Sequence, residues 1–218
     1  MQHRRNLETE PSKESIMKAT ALLLAGVVAA FTVSSFAKPV IGQPAPAFSA
    51  TDSNGKTQTL AAYKGRIVVL EWNNPLCPFV GKHYGSGNMQ KQQAEAAAAG
   101  VVWLTINSGA FGKQGHLDAA AANAYVGKVQ GKETAYLLDA DGMLGHAYDA
   151  KTTPQMVVID KDGVLRYIGG IDSIASTDVD DIPKATQYVR QALAELAAGK
   201  PVSVPTSEPY GCSVKYGP

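Results

Sequence analysis

The stretch Gly65-Arg-Ile-Val-Val-Leu-Glu-Trp-Asn-Asn-Pro-Leu-Cys-Pro-Phe-Val80 decides how the chain is read. Ile67 to Leu70 is an unbroken β-branched and aliphatic run, the pattern of a strand covered on both faces, and Asn73, Asn74 and Pro75 stop it. Downstream, Met89 to Ala99 has the composition of an amphipathic helix that Asn88 is placed to cap. Cys77 therefore stands where a strand hands over to helix. A thiol there meets free backbone N–H groups and the positive end of a helix dipole, both of which favour thiolate. Such surroundings lower a cysteine pKa from about 8.5 into the range of roughly 3.5–7.5 and make the sulfur a nucleophile at neutral pH. The competing reading is a small buried hydrophobe, the common fate of a free cysteine.

Moving outward, Gly42-Gln-Pro-Ala-Pro-Ala-Phe48 is an extended lead, and Asn54-Gly55 between β-prone segments predicts a hairpin. After Cys77 the chain is broken by Gly81, Gly85 and Gly87 before the helix, and Gly100 to Asn107 reads as a second buried strand. Leu117 to Val129 is alanine-rich and helical, Ala135 to Leu138 a short strand, and Met143 to Tyr148 one or two helical turns. Lys151 to Ile168 reads as strand, tight turn at Lys161-Asp-Gly163, and strand, hence an antiparallel hairpin. Ser176 to Pro183 is an acidic loop, Ala185 to Ala198 an amphipathic helix, and Lys200 to Pro218 an irregular tail that carries Cys212. The spacing of Asp172, Asp178, Asp180 and Asp181 fits a solvated loop with capping carboxylates better than a calcium loop. Alternating β and α elements closed by a hairpin and a helix mean an α/β fold, a central sheet with helices on both faces.

Composition narrows the class. With 20 Lys and Arg against 19 Asp and Glu and no basic stripe, nothing points to nucleic acid. Lys18 precedes the apolar run Ala19 to Val33, and Ser34-Ser-Phe-Ala37 offers a cleavage site, so residues 1–37 read as an N-terminal extension and signal peptide with Met17 as the expected start. An uncleaved membrane anchor is the alternative, and a membrane association follows only in that case. Residues 38–200 form the expected domain and 201–218 its tail, in a periplasmic or secreted setting where disulfides persist.

As a set in this order, the Gly42–Phe48 lead, the Asn54-Gly55-Lys56 hairpin, Tyr63 to Leu70, Cys77, Thr153-Pro154 and Ile159-Asp-Lys-Asp-Gly163 resemble the redoxin group of the thioredoxin-like superfamily, over about residues 40 to 200. That group includes the alkyl hydroperoxide reductase/thiol-specific antioxidant proteins and periplasmic thiol-disulfide oxidoreductases. The resemblance implies a thioredoxin-like fold with a central mixed β-sheet and an N-terminal β-hairpin extension. It also implies a cis bond before Pro154 and a Thr153 backbone lying opposite Cys77, where it would pair with an incoming peptide or hold the thiol's surroundings. Two departures stand out. In Cys77-Pro-Phe-Val80 the second cysteine of Cys-X-X-Cys is replaced by Val80, after a retained Pro78. Against the peroxiredoxin pattern Pro-X-X-X-Thr/Ser-X-X-Cys, Leu70 takes the proline position and Asn74 the hydroxyl position, where its amide could donate in place of the hydroxyl. Arg166 is a candidate for the peroxide-activating arginine by elimination only.

The one other cysteine is Cys212, in Pro209-Tyr-Gly-Cys-Ser-Val-Lys-Tyr216. Three readings stay open: a redox partner that resolves Cys77, as in two-cysteine peroxiredoxins; a static staple; or an unrelated thiol. Lys82 and Lys151 are candidates for a positive field near the thiolate, and His83 could fold back toward it. No metal-site spacing is present and no cofactor is called for. The expectation is an exported thiol-dependent oxidoreductase acting on protein disulfides or peroxides and drawing on an unidentified thiol reductant. The rivals are a binding module for extended peptides beside Thr153-Pro154 and, less well supported, a copper-handling relative.

Overall fold

The computed structural model describes residues 38–218, so the expected leader, its start at Met17 and the cleavage after Ala37 lie outside the described residues. Ser49–Asp52 (β1) and Thr57–Thr59 (β2) form the hairpin, turned at Asn54-Gly55 with Gly55 at φ +77°. The Asp52 carboxylate locks this turn by accepting the amides of Asn54 and Lys56, both at 2.9 Å. Val68–Trp72 (β3) is buried along its whole length, and Pro78–Gly85 (α1) and Asn88–Ala98 (α2) follow. Then come Val102–Asn107 (β4), Ala119–Val129 (α3), Ala135–Leu138 (β5) and the short Met143–Ala147 (α4). Thr152–Thr153 (β6), Gln155–Ile159 (β7), Leu165–Gly169 (β8), Tyr188–Ala197 (α5) and Cys212–Ser213 (β9) complete the chain.

Seven strands make one mixed sheet in the order β2-β1-β5-β4-β3-β7-β8. β3 lies near its middle, parallel to β4 and antiparallel to β7. Its apolar run is explained by this position, because alternate residues feed two cores. Val68, Leu70 and Trp72 join Leu104, Ile106, Leu137, Val157 and α4 residues Leu144 and Ala147 on one face. Val69 points the other way, among Met89 and Ala96 of α2, Trp103, Val158, and Val189 and Ala192 of α5. Helices cover both faces, as expected of an α/β sheet with buried strands.

One local expectation is corrected and another is qualified. Asn88 does not cap α2; Gly87 does so at φ +77°, and the Asn88 side chain instead donates to His83 Nδ1 at 2.8 Å. A left-handed entry suits glycine, and asparagine is left free to bond inward. The tail has little regular structure apart from β9, as expected, but it is tied down as a strap rather than left loose. Thr206 bridges to Ile168, the Ser207 hydroxyl bonds the Tyr167 hydroxyl at 2.6 Å and the Gly170 amide at 3.0 Å, and β9 pairs antiparallel with β6 in the register Thr153↔Cys212. Beyond β9, the Val214 amide donates to the Lys151 carbonyl at 2.9 Å, and Tyr216 stacks on His146 while its hydroxyl reaches the Ala150 carbonyl at 2.7 Å. Polar pairing to fixed backbone groups carries no hydrophobic period, which is why the tail reads as loop.

The strap's closest approach is at Gly211, which has φ +124° and leaves only 2.0 Å between an added Cβ and the Thr153 carbonyl oxygen. Gly211→Ala is therefore expected to cost roughly 1–3 kcal/mol, the range for a residue forced into a glycine-only conformation. Urea unfolding of the reduced protein checks it, and an unchanged midpoint would show that the strap is not tightly seated.

Candidate active site

The corner that holds Cys77 is built where β3 ends. The Asn73 amide continues the ladder to the Ile106 carbonyl at 2.8 Å, after which the Asn74 side chain accepts the Leu76 amide at 2.9 Å and its carbonyl accepts the Cys77 amide at 3.0 Å. This turn delivers Cys77 to the N-cap position of α1 at φ −83° and ψ 123°, with Pro78 as the first helical residue. Proline suits that place, since its fixed φ is helical and the missing N–H would have had no partner there. Cys77 is 1% exposed, and its thiol donates to the Thr153 carbonyl at 3.0 Å. The Thr153–Pro154 peptide bond is cis. Thr153 thus touches both halves of the site, facing Cys77 with its carbonyl and pairing with Cys212 through β6 and β9.

The two sulfurs, both reduced, influence one another in opposite directions. Burial pushes the Cys77 thiol up, but hydrogen bonding with the Cys212 thiol, the Thr153 side chain, the Val80 amide and the Cys212 amide outweighs it and holds Cys77 below its ordinary value. Val80 is the third residue of α1, so its N–H is one of the unpaired amides of a helix start. Cys212 is half-buried, and burial together with its bond and proximity to Cys77 pushes it up to about 11, with Lys215 pulling weakly the other way. Cys77 is therefore the more readily ionised of the two sulfurs and Cys212 the one that keeps its proton. Such a pair can exchange a disulfide between themselves and an outside sulfur.

The other sequence-level candidates lie elsewhere. Lys82 is buried with its ammonium on the Ile174 carbonyl at 3.4 Å and the Ser176 hydroxyl at 3.3 Å, and Lys151 pairs with Asp149 at 3.3 Å on the surface. Arg166 bonds Asp160 at 2.6 Å, beside the Val68↔Ile159 end of the β3–β7 pair, whereas Cys77 follows the Trp72↔Gln155 end. A strand length of about 13 Å therefore separates Arg166 from the thiol. The Asn74 amide is already engaged, donating to Gln114 at 3.0 Å. His83 does not reach back to Cys77; it is fully buried against Asn88, Tyr210 and Asp172, and burial above all, with Lys82 nearby, pushes it down to about 4 despite the opposing pull of Asp172.

Three residues around the site escape a sequence reading. Glu71, on β3, is fully buried and accepts from Trp103 Nε1 at 2.8 Å, the Tyr84 hydroxyl at 2.8 Å and Gln93 at 3.3 Å. Burial raises its carboxyl and these donors offset only part of the rise. An acidic residue inside an apolar strand is the available signal, since Glu is almost never fully buried without partners. Asp172 falls with the aspartates read as a solvated loop, yet it is 1% exposed, and Tyr210 lies in a polar, glycine-containing tail that gives no such signal.

Among known proteins, the AhpC/TSA family model matches residues 41–168. A search of the curated proteins finds no match. Among solved structures, an uncharacterized conserved protein from Geobacillus kaustophilus is similar at 25% identity and a TM-score of 0.73, over 82% of this chain and 93% of that one. A hypothetical protein from Sinorhizobium meliloti 1021 is similar at 23% identity and a TM-score of 0.68, over 83% and 97%. A candidate thioredoxin from Neisseria meningitidis shares the fold at 21% identity and a TM-score of 0.50, over 71% and 92%. The fold is thioredoxin-like, and the chain belongs to the AhpC/TSA family of redoxins.

Proposed function

We propose that the protein is an exported thiol-disulfide oxidoreductase in which Cys77 is the attacking thiolate and Cys212 the resolving thiol. The observation that carries this reading is that two reduced cysteines share one partner: Cys77, at a helix start, bonds the Thr153 carbonyl at 3.0 Å, and β6–β9 pairing sets Cys212 opposite the same Thr153; the opposed acidities of the two thiols agree with it. Cys77 S⁻ attacks one sulfur of a substrate disulfide, forming Cys77–S–S–R and releasing the other half as thiolate. The Cys212 thiol then gives up its proton and attacks the Cys77 sulfur, which releases RS⁻ and leaves the Cys77–Cys212 disulfide. Two outside thiols restore the pair. The first, as thiolate, attacks Cys212 and releases Cys77 S⁻, the better leaving group of lower pKa. The second attacks the outer sulfur of the resulting mixed disulfide, which frees Cys212 and carries the oxidation away as a disulfide of the two outside thiols.

Peroxide reduction is the second reading, favoured by the family match. There Cys77 S⁻ takes one peroxide oxygen to become a sulfenic acid and the alcohol departs, after which Cys212 condenses with loss of water. The engaged Asn74 amide and the distant Arg166 supply no observed group to hold the peroxide, so disulfide exchange is preferred. The rival binding-module reading needs a free edge at Thr152–Thr153, and β9 already fills it.

Cys77→Ser is expected to abolish turnover of a disulfide substrate, whereas Cys212→Ser should still accept one equivalent and stop as the mixed disulfide, read by intact mass. Retained turnover in Cys77→Ser would end the proposal. The pH profile supplies a separate check. Alkylation of Cys77 should fall as pH drops through a midpoint below the ordinary cysteine value of about 8.5, since the thiolate is the reacting form. Replacing Cys212 by serine should move that midpoint, because the partner thiol is one of the groups that lower it.

A further inference from the structure

We infer that Tyr210, clasped by the buried pair His83 and Asp172, is a positioning residue that sets the register in which Cys212 meets Cys77. The inference rests on the resolving role proposed for Cys212. β9 is only two residues long, and a strand so short specifies its own register weakly. A slip of one residue would turn the Cys212 side chain to the opposite face and present Gly211 or Ser213 to the thiol instead. Something outside β9 has to prevent the slip.

Tyr210, two residues before Cys212, is placed to do so. Its hydroxyl donates to Asp172 Oδ1 at 2.5 Å and lies 3.3 Å from His83 Nε2. Asn88 donates to His83 Nδ1 at 2.8 Å, which makes Nδ1 the acceptor and leaves the proton on Nε2, directed at the Tyr210 oxygen. The His83 and Asp172 side chains are both fully buried. Asp172 Oδ1 also accepts the Ile174 amide at 3.1 Å, while Oδ2 has no hydrogen-bond partner and lies 3.8 Å from His83 Nε2. The Tyr210 ring meets Phe79 edge-on at 5.7 Å between centroids.

The arrangement is a two-point clamp. Cys77 caps α1 and Phe79 and His83 lie on it, while Tyr210 and Cys212 lie on the strap. Fixing Tyr210 against α1 therefore fixes Cys212 against the start of the same helix. Apolar packing alone would fasten the strap without choosing between registers, since hydrophobic contact is non-directional. Burying a histidine and a carboxylate is costly unless they are hydrogen-bonded, and the direction of those bonds is what the cost secures.

The test compares wild type, Tyr210→Phe, Asp172→Asn and Asp172→Leu as full chains in a glutathione redox series, with Cys77 ionisation followed by thiolate absorbance. Tyr210→Phe keeps the ring and removes only the hydroxyl. It should lower the equilibrium constant for the Cys77–Cys212 disulfide about tenfold, a shift of about 30 mV to a more oxidising potential, and raise the Cys77 midpoint. Asp172→Asn keeps an acceptor and should stay near wild type, whereas Asp172→Leu should follow Tyr210→Phe. A lowered unfolding midpoint with wild-type potential and ionisation in both Tyr210→Phe and Asp172→Leu would reduce the cluster to a structural role and overturn the inference alone. Wild type that forms no Cys77–Cys212 disulfide would overturn it together with the reading on which it rests.

Discussion

A sulfur that is 1% exposed takes its acidity from what the fold brings to it. That constraint governs the corner around Cys77. The end of β3 supplies the thiol, the start of α1 supplies an unpaired amide, Thr153 supplies a carbonyl, and the strap supplies the second thiol. Each comes from a different part of the chain, so the acidity of the thiol is a property of tertiary structure. The central sheet makes this possible by holding β3 and β7 side by side, which puts the turn after Trp72 next to the Thr153–Pro154 segment before Gln155.

The thiolate is favoured here by short-range donors. Lysines are attractive candidates in a sequence because their charge is obvious, yet Lys82 is spent on the Ile174 carbonyl and the Ser176 hydroxyl, and Lys151 stays at the surface beside Asp149. Amide and thiol donors need no desolvated charge and act at contact distance, so they suit a buried sulfur better than an ammonium that water solvates well. Burial works against ionisation throughout, and the downward shift at Cys77 is what remains after several donors have acted together.

Much of this fold is legible in one dimension because its central strands are buried on both faces. The Ile67–Leu70 run, the Asn54-Gly55 turn and the Ala135–Leu138 strand need no partner to be recognised, and the helix from Met89 follows from its apolar spacing, whereas α1 forms across Gly81 and Gly85, where the sequence reads as broken. The site is legible only in part. Cys77 is marked by its turn, but its neighbours are chosen by tertiary contact: Glu71 by the donors around it, Gln114 by Asn74, and Tyr210 by a histidine and an aspartate far from it in the chain. The Asn88 cap fails for a related reason, since His83 competes for the side chain and wins it.

The strap has a consequence for how the molecule carries its redox history. While both sulfurs are reduced, residues 206–216 are held by hydrogen bonds and ring stacking, each reversible on its own. Were the sulfurs to join as proposed, the same segment would become one side of a covalent ring enclosing most of the described chain, and in the chain-entropy view such a ring restrains the unfolded ensemble by several kcal/mol, about 4.7 for a hundred residues. Resistance to unfolding would then rise and fall with the state of the two sulfurs, so the oxidised molecule would also be the one least easily taken apart.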